Sequence, residues 1–236
     1  MCSSDLGDLD PVHPGHPVTL PPDPRTIYDA TDPVEDNPLA HKHALVRAVK
    51  RIIELSAHLD VDETDDETVE RLTSDLDAIA DRMDRLPSLH AKGGLGACGG
   101  HQGALLERSG IAGRSNPLAA PVQWVIDDDG VTRGWATYSA AYEGPIGCLH
   151  GGFVAAAFDD LLGSAQTASG SAGYTGTLVV KMLRPTPLHK RIDYEAGVDR
   201  VEGRKIFVWG TAECEGERLA ECEIVFIAPS HGGRPR

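Results

Sequence analysis

Hydrophobic positions change their spacing along the chain, and the first part has the spacing of helices. Between residues 39 and 59, and again between residues 69 and 86, apolar side chains recur at steps of three and four, which is typical of amphipathic helices. Thr64 and Glu67 form an S/T-x-x-E capping box ahead of the second run. The pattern predicts two antiparallel helices with acidic, solvated outer faces. The apolar positions are Leu45, Val49, Ile52 and Ile53, then Val69, Leu72, Leu76, Ile79, Met83 and Leu86.

After Pro121 the pattern changes to short alternating segments typical of strands. Residues 122–126 and 131–139 flank an Asp-Gly turn and predict a hairpin. A long, almost wholly apolar helix is predicted from Phe153 to Ser169. This order of elements predicts an α+β fold, with an antiparallel sheet packed over one helix. Four further strands are predicted at Gly176–Leu183, Arg191–Val201, Lys205–Glu213 and Leu219–Ala228.

Composition divides the chain into four parts. Residues 1–37 are rich in Pro, Asp and Gly and predict a flexible arm, because such segments bury little apolar surface. Residues 38–90 form the helical hairpin extension. Residues 91–120 are rich in Gly, Ala and Pro and predict a flexible linker. Residues 121–230 then form the α+β domain.

The charge distribution limits the class of partner. The net charge is -14, and residues 1–87 hold 20 acidic and 8 basic side chains. Because this balance repels phosphate backbones and no basic stripe offsets it, we expect no nucleic-acid binding.

The chain also lacks the signals of membrane insertion and export. No apolar run approaches the roughly 20 residues that span a bilayer. The opening MCSSDLGDLD has neither the basic nor the apolar region of a secretory signal. We therefore expect a cytoplasmic protein without membrane insertion.

The five cysteines are scattered, with no CxxC motif, so we expect reduced thiols and no bound metal. Cys148 lies two residues before His150. This spacing leaves the alternative that Cys148 is a thiol nucleophile and His150 is its base. Next-but-one neighbours on a loop rarely reach that geometry, so this alternative is disfavoured.

Two adjacent acids interrupt the apolar helix, at Asp159 and Asp160. Burying an ionised carboxylate costs several kcal/mol unless it is paired. Each acid therefore has either a functional role or a structural contact at a surface or subunit boundary. The structural alternative is stronger for Asp160 than for Asp159.

The sequence His150-Gly151-Gly152 precedes this helix. A helix N-terminus has free backbone N–H groups and positive potential, which suit a carbonyl oxygen that gains negative charge. The alternative is an ordinary turn into a helix. Asp159 lies roughly 10 Å from Gly152 along the axis, so one small carbonyl cannot touch both. Two copies related by a twofold axis would form a composite site.

Three motifs together resemble a known family. They are GPIGCLHGGFVAAAFDDLLG, GYTGTLVVKMLRPTPL and VDRVEGRKIFV, in that order between Gly144 and Ala228. In residues and spacing they resemble the hotdog-fold acyl-CoA thioesterases, specifically the PaaI-like group and the animal members of the thioesterase superfamily. The resemblance implies a hotdog fold, in which a curved antiparallel sheet wraps around one long central helix.

The resemblance also implies roles for individual residues. Asp159 corresponds to the catalytic carboxylate, which acts as a general base or as a nucleophile. Gly151 corresponds to the oxyanion donor, with Gly152 beside it. The resemblance favours His150 as an orienting residue over a proton carrier, with both roles together as the alternative. Thr175 matches a threonine that related enzymes place near the attacking water.

Coenzyme A carries phosphates, so basic side chains within the motifs are candidates for holding it. These are Arg184, Arg204 and Lys205. The alternative is that each is a solvated charge at a strand end.

The resemblance predicts hydrolysis of acyl-CoA thioesters by a homodimer or a dimer of dimers. Coenzyme A is part of the substrate, and no separate cofactor is expected. A second hypothesis is a non-catalytic acyl-CoA sensor or assembly module, in which loss of the acid would be expected, yet Asp159 is present. A third, hydratase chemistry, needs an Asp and His pair in a loop pattern that this sequence does not contain.

Overall fold

The computed structural model describes residues 39–88 and 109–229. The predicted flexible arm and the glycine-rich first part of the predicted linker lie outside these residues. Within the two described ranges, no helix is both long and apolar enough to cross a membrane.

The two predicted N-terminal helices are present. Helix α1 spans Ala40–Ala57 and helix α2 spans Asp66–Asp84. Helix α2 has no buried residue, and its apolar stripe is exposed to solvent, with Leu72 49% and Leu76 40% exposed.

The predicted capping box at the start of α2 is wrong. The N-cap is Asp65, whose carboxylate accepts a hydrogen bond from the Thr68 N–H at 2.8 Å. The Thr64 hydroxyl instead donates to the Asp60 carbonyl at 2.6 Å. Both Asp and Thr serve as N-caps. Here the carboxylate of Asp65, one residue after Thr64, accepts the hydrogen bond from the N–H of the third helical residue, Thr68.

The α+β domain contains one six-stranded antiparallel sheet with the strand order β1-β2-β4-β5-β6-β3. The predicted hairpin and all four later strands are confirmed within a few residues. Strands β1 and β3 form the two edges. The strands are β1 Gln123–Ile126, β2 Thr132–Thr137, β3 Tyr174–Met182, β4 Arg191–Glu202, β5 Lys205–Cys214 and β6 Glu217–Ile227.

Helix α3 spans Gly151–Ala165, and a 3-10 turn continues it over Gln166–Ser169. Its side chains Phe158, Leu161 and Leu162 have no exposed surface, because the sheet curves around this helix. Strand glycines permit the close approach: a Cβ added at Gly210 would lie 2.6 Å from Cδ1 of Leu162. This arrangement is the curved sheet around a central helix that the resemblance implied.

Residues 109–120, the last part of the predicted linker, are packed against the domain rather than forming a free connector. Ala119 and Ala120 are 0% and 1% exposed, and Ala112 and Ala120 belong to the hydrophobic core. Small side chains allow this irregular segment to lie flat on the core, a packing that composition alone does not distinguish from a flexible loop.

Candidate functional site

The loop before α3 is held by backbone hydrogen bonds. The Gly144 N–H donates to the Cys148 carbonyl at 2.9 Å, and the His150 N–H donates to the Tyr142 carbonyl at 3.0 Å. A Cβ at Gly144 would lie 2.7 Å from Cα of His150, so the loop closes tightly onto the start of the helix. These contacts define the position of His150.

His150 is the N-cap of α3. Its Nδ1 accepts a hydrogen bond from the Gly152 N–H at 3.0 Å. In the neutral imidazole the proton therefore lies on Nε2. This contact supports the predicted orienting role of His150, and it also engages the N–H of Gly152, the residue beside the predicted oxyanion donor Gly151.

The N–H of Gly151 is the first of the helix and has no acceptor among the described residues. The helix dipole adds positive potential at this end. The Met182 side chain lies beside it, since a Cβ at Gly151 would be 3.0 Å from Cε of Met182. Gly151 therefore has a free amide suited to an oxyanion.

Asp159 and Thr175 come together at the other end of this helix face. The Thr175 hydroxyl donates to Oδ1 of Asp159 at 2.8 Å. Asp159 is half-buried and Thr175 is exposed, so solvent and a ligand can reach the pair. The contact fits a carboxylate that accepts a proton from a water molecule held nearby.

A β-bulge directs Thr175 toward the helix. Leu178 and Val180 pack against the core, so strict alternation along β3 would place Gly176, not Thr175, on that side. The register between β3 and β6 shifts between Thr175 and Thr177, which reverses the alternation. Hydrophobic patterning gave no signal of this shift.

Asp160 has a structural contact. Its Oδ2 accepts a hydrogen bond from the Ser109 hydroxyl at 2.6 Å, and the Ser109 hydroxyl oxygen in turn accepts from the Ala112 N–H at 3.3 Å. Burial raises the pKa of Asp160, and the charge of Asp159 adds to the increase. Ser109 lies in the predicted linker, where no sequence pattern marked it. The stronger of the two alternatives for Asp160, a structural role, is thus supported.

Replacing Asp160 with asparagine is expected to leave thermal stability at pH 7 equal to or above that of the wild type. Because the pKa of Asp160 is raised in the folded state, ionisation of this carboxyl opposes folding at neutral pH and the penalty disappears as the pH falls. The difference in melting temperature should therefore shrink toward pH 4, near the ordinary pKa of aspartate.

Thermal unfolding of Asp160→Asn and Asp160→Ala between pH 4 and pH 8 checks this prediction. Alanine would leave the Ser109 hydroxyl without this acceptor, so Asp160→Ala should melt below wild type throughout. A melting temperature of Asp160→Asn well below wild type at pH 7 would show that the ionised form is the stabilising one.

The three predicted phosphate-binding side chains lie at two ends of the site. Arg184 follows β3 at the Gly151 end and pairs with Glu217 at 3.0 Å. Arg204 and Lys205 lie at the Thr175 end, where Arg204 donates to the Ala228 carbonyl at 2.7 Å and Lys205 is opposite Ile227. All three are exposed, so one protomer does not bring them together.

Among the residues that the structure describes, Cys148 has no catalytic partner. No hydrogen bond joins its thiol to His150, whose Nδ1 is occupied by the Gly152 amide. Among residues 39–88 and 109–229, no group of three or more His, Cys, Asp or Glu side chains is placed to hold a metal ion.

The predicted residues thus form two pairs. His150 and Gly151 lie at the N-terminus of α3. Asp159, which contacts Thr175 of β3, lies eight residues after Gly151 on the helix. At about 1.5 Å per residue this separation is roughly 12 Å along the axis. An oxyanion donor must lie about 3 Å from the carbonyl oxygen, and the attacking atom lies at about 3–3.5 Å from the carbonyl carbon. The pairs of one protomer cannot act on the same thioester.

Comparisons with known proteins confirm the fold. A crystal structure described as a thioesterase superfamily protein has a TM-score of 0.68 and 27% sequence identity, over 79% of this chain and 90% of that chain. The bovine (Bos taurus) acyl-coenzyme A thioesterase THEM4 is 38% identical over 66 residues, 28% of this chain. The match spans 27% of that protein's length. No family model matches the sequence.

Proposed function

We propose that this chain, which has the hotdog fold of the thioesterase superfamily, hydrolyses acyl-CoA thioesters to a free acid and coenzyme A. The observation that carries the proposal is the free Gly151 N–H at the start of α3, on the same helix as Asp159, which accepts the hydrogen bond of the Thr175 hydroxyl from β3. The partial match to bovine acyl-coenzyme A thioesterase supports the same class of substrate.

In the proposed reaction, the Gly151 N–H donates to the thioester carbonyl oxygen and stabilises its developing negative charge. Asp159 accepts a proton from a water molecule, whose oxygen attacks the carbonyl carbon. The carbon–sulfur bond then breaks, and the proton that Asp159 accepted passes to the departing coenzyme A sulfur, which regenerates the carboxylate. Thr175 positions the water beside Asp159, and His150 maintains the N-terminal turn. Direct attack by the Asp159 carboxylate is the remaining alternative.

The helix geometry supports a site shared by two copies of the chain. Gly151, Ala155 and Asp159 recur at intervals of four residues and so lie along one face of α3. All three are half-buried rather than packed beneath the sheet. A twofold axis near Ala155, their midpoint, would bring Gly151 of one copy to Asp159 of the other.

The sheet geometry supports the same axis. The Met182 side chain lies beside Gly151, and Thr175 contacts Asp159. Strand β3 is an edge strand, so its outer side is available to pair with the β3 strand of a second copy. If Thr175 of one copy is opposite Met182 of the other, the axis passes between Leu178 and Val179, halfway along the strand.

This arrangement would also gather the basic side chains. Arg184 lies near the Gly151 end, and Arg204 and Lys205 lie near the Thr175 end of the same protomer. Joining opposite ends of two protomers would place all three side chains at one composite site, with Arg184 from one protomer and Arg204 and Lys205 from the other. The phosphates of coenzyme A are the group that such a set of cations suits.

Thiol release from a panel of short, medium, long and aromatic acyl-CoAs tests the proposed activity. We expect release that depends on the acyl group and is lost in Asp159→Asn. No release from any substrate, together with tight acyl-CoA binding, would favour the sensor hypothesis instead.

Mixing two inactive variants tests the composite site. Asp159→Asn and Gly151→Pro each damage a different half of the site, so a mixed dimer contains one site with both halves intact. With random exchange of subunits, about a quarter of the wild-type activity should return, because half of the dimers are mixed and each has one of two sites. Activity that stays at the sum of the two variants would place the site within one protomer.

A further inference from the structure

Helix α1 is attached to the α+β domain through Lys50. The Lys50 Nζ donates to the Ala119 carbonyl at 2.6 Å and lies 5.6 Å from the centre of the Tyr142 ring, within the range of a cation–π interaction. A second contact, from the Ser139 hydroxyl to the Glu54 carboxylate at 3.1 Å, attaches the next turn of α1. Both contacts lie on one side of the helix.

Tyr142 connects this attachment to the start of α3. Its hydroxyl donates to the same Ala119 carbonyl at 2.9 Å, and its own carbonyl accepts the His150 N–H at 3.0 Å. Its ring meets the Phe153 ring edge-on, with centres 4.9 Å apart. Tyr142 therefore contacts the residues on both sides of the Gly151–Gly152 turn.

Lysine at position 50 requires an explanation, because burying an ammonium group costs free energy. Burial lowers the pKa of Lys50 to about 8, and the charge of Glu54 acts in the opposite direction. The groups that face Lys50 are the Ala119 carbonyl from the 109–120 segment and the Tyr142 ring from the turn after β2. Lysine reaches both at once, whereas an apolar side chain would contact the ring alone.

We propose that Lys50 is a positioning residue for the free amide of Gly151 and acts through Tyr142 and His150. The inference rests on the proposed function, since it assigns the N-terminal helix a part in orienting the oxyanion donor. The helix thereby becomes a component of the catalytic apparatus rather than a separate appendage.

Hydrogen–deuterium exchange and steady-state kinetics of the full chain test this proposal together. The variants are Lys50→Met, Lys50→Arg, which keeps the charge, and Arg51→Met, a change of an exposed basic residue on the same helix. In Lys50→Met we expect about tenfold faster exchange in the segment from Tyr142 to Phe153. We also expect about tenfold lower kcat, with KM changed less than twofold, because the displaced amide stabilises the transition state poorly. Lys50→Arg should restore most of both, and Arg51→Met should match wild type.

The two readouts separate this proposal from the proposed function. Exchange requires no turnover, so faster local exchange in Lys50→Met supports the positioning role even for a protein that hydrolyses none of the acyl-CoAs. Unchanged exchange and kcat in Lys50→Met would overturn it. So would faster exchange throughout the molecule with no recovery in Lys50→Arg, since that result shows general destabilisation.

Discussion

Replacing Asp159 with asparagine is expected to lower kcat for acyl-CoA hydrolysis by about 10²–10⁴-fold, the usual contribution of a positioned general base. Asparagine has nearly the same shape and keeps an oxygen that can accept the hydrogen bond of the Thr175 hydroxyl. It cannot accept a proton from water at neutral pH. KM should change little, because the amide does not alter the contacts proposed for coenzyme A.

The matched control for this variant is the neighbouring substitution Asp160→Asn. It makes the same chemical change one residue later, on a carboxyl that contacts Ser109 rather than Thr175. Thiol release should fall in Asp159→Asn and stay within about threefold of wild type in Asp160→Asn. Equal losses in the two variants, or full activity in Asp159→Asn, would contradict the assignment of the base.

Replacing Gly151 with proline is expected to lower kcat by about 10²–10³-fold, the typical loss when one oxyanion donor is removed. Proline has no N–H, so the substitution deletes the single backbone donor that the mechanism requires. A point substitution can seldom remove a backbone N–H without disturbing the fold. Gly151 is an exception, because its local conformation accepts proline.

The local conformation is compatible with proline at this position. Gly151 is the first residue of α3, where proline is favoured because that N–H has no partner within the helix. The preceding residue must have an extended conformation, and His150 has φ -62 and ψ 132. The helix should therefore form normally without the donor.

Gly151→Ala is the control that separates the donor from the added bulk. Alanine and proline both introduce a Cβ toward the flexible end of the Met182 side chain, at 3.0 Å from Cε, but alanine keeps the N–H. Activity should be largely retained in Gly151→Ala and lost in Gly151→Pro, with both proteins folded by circular dichroism. Similar losses in both variants would show that space, rather than the hydrogen bond, is limiting at Gly151.

The two predictions together distinguish catalysis from binding alone. A sensor would keep its affinity for acyl-CoA in both variants and would have no turnover to lose. A hydrolase should lose turnover in both, and mixing them should restore it if the site is shared. Acyl-CoA affinity measured alongside thiol release therefore decides between the two leading hypotheses.

Much of the fold could be predicted from local patterns. Period-2 alternation and glycine turns predicted β4 and β5 almost to the residue, and the nearly all-apolar segment predicted α3 as the central helix. These features depend on neighbours in sequence, because the faces of a strand or a helix repeat with a fixed period. The capping residue of α2 was misplaced by one position, where Asp65 and Thr64 are both acceptable N-caps.

The site depended more on long-range contacts. The motif around His150 and Asp159 marked the two halves, but not that Gly152 donates to His150 and leaves Gly151 as the free amide. The motif also did not predict which contact each acid makes. Thr175, the partner of Asp159, and Ser109, the partner of Asp160, come from distant segments. Hydrogen bonds of this kind have no period in the sequence.

Hydrophobic patterning and the motifs were enough to predict the main helices and strands, their order, and the helix that carries the candidate site. The three-dimensional structure was needed to show that a bulge turns Thr175 toward Asp159, and that residues 109–120 pack on the core. It was also needed to show that Lys50 joins α1 to the loop before Gly151. Hydrophobic periodicity records which face of an element is buried, whereas a bulge, a docked loop and the contacts of a half-buried cation depend on which segments meet in space.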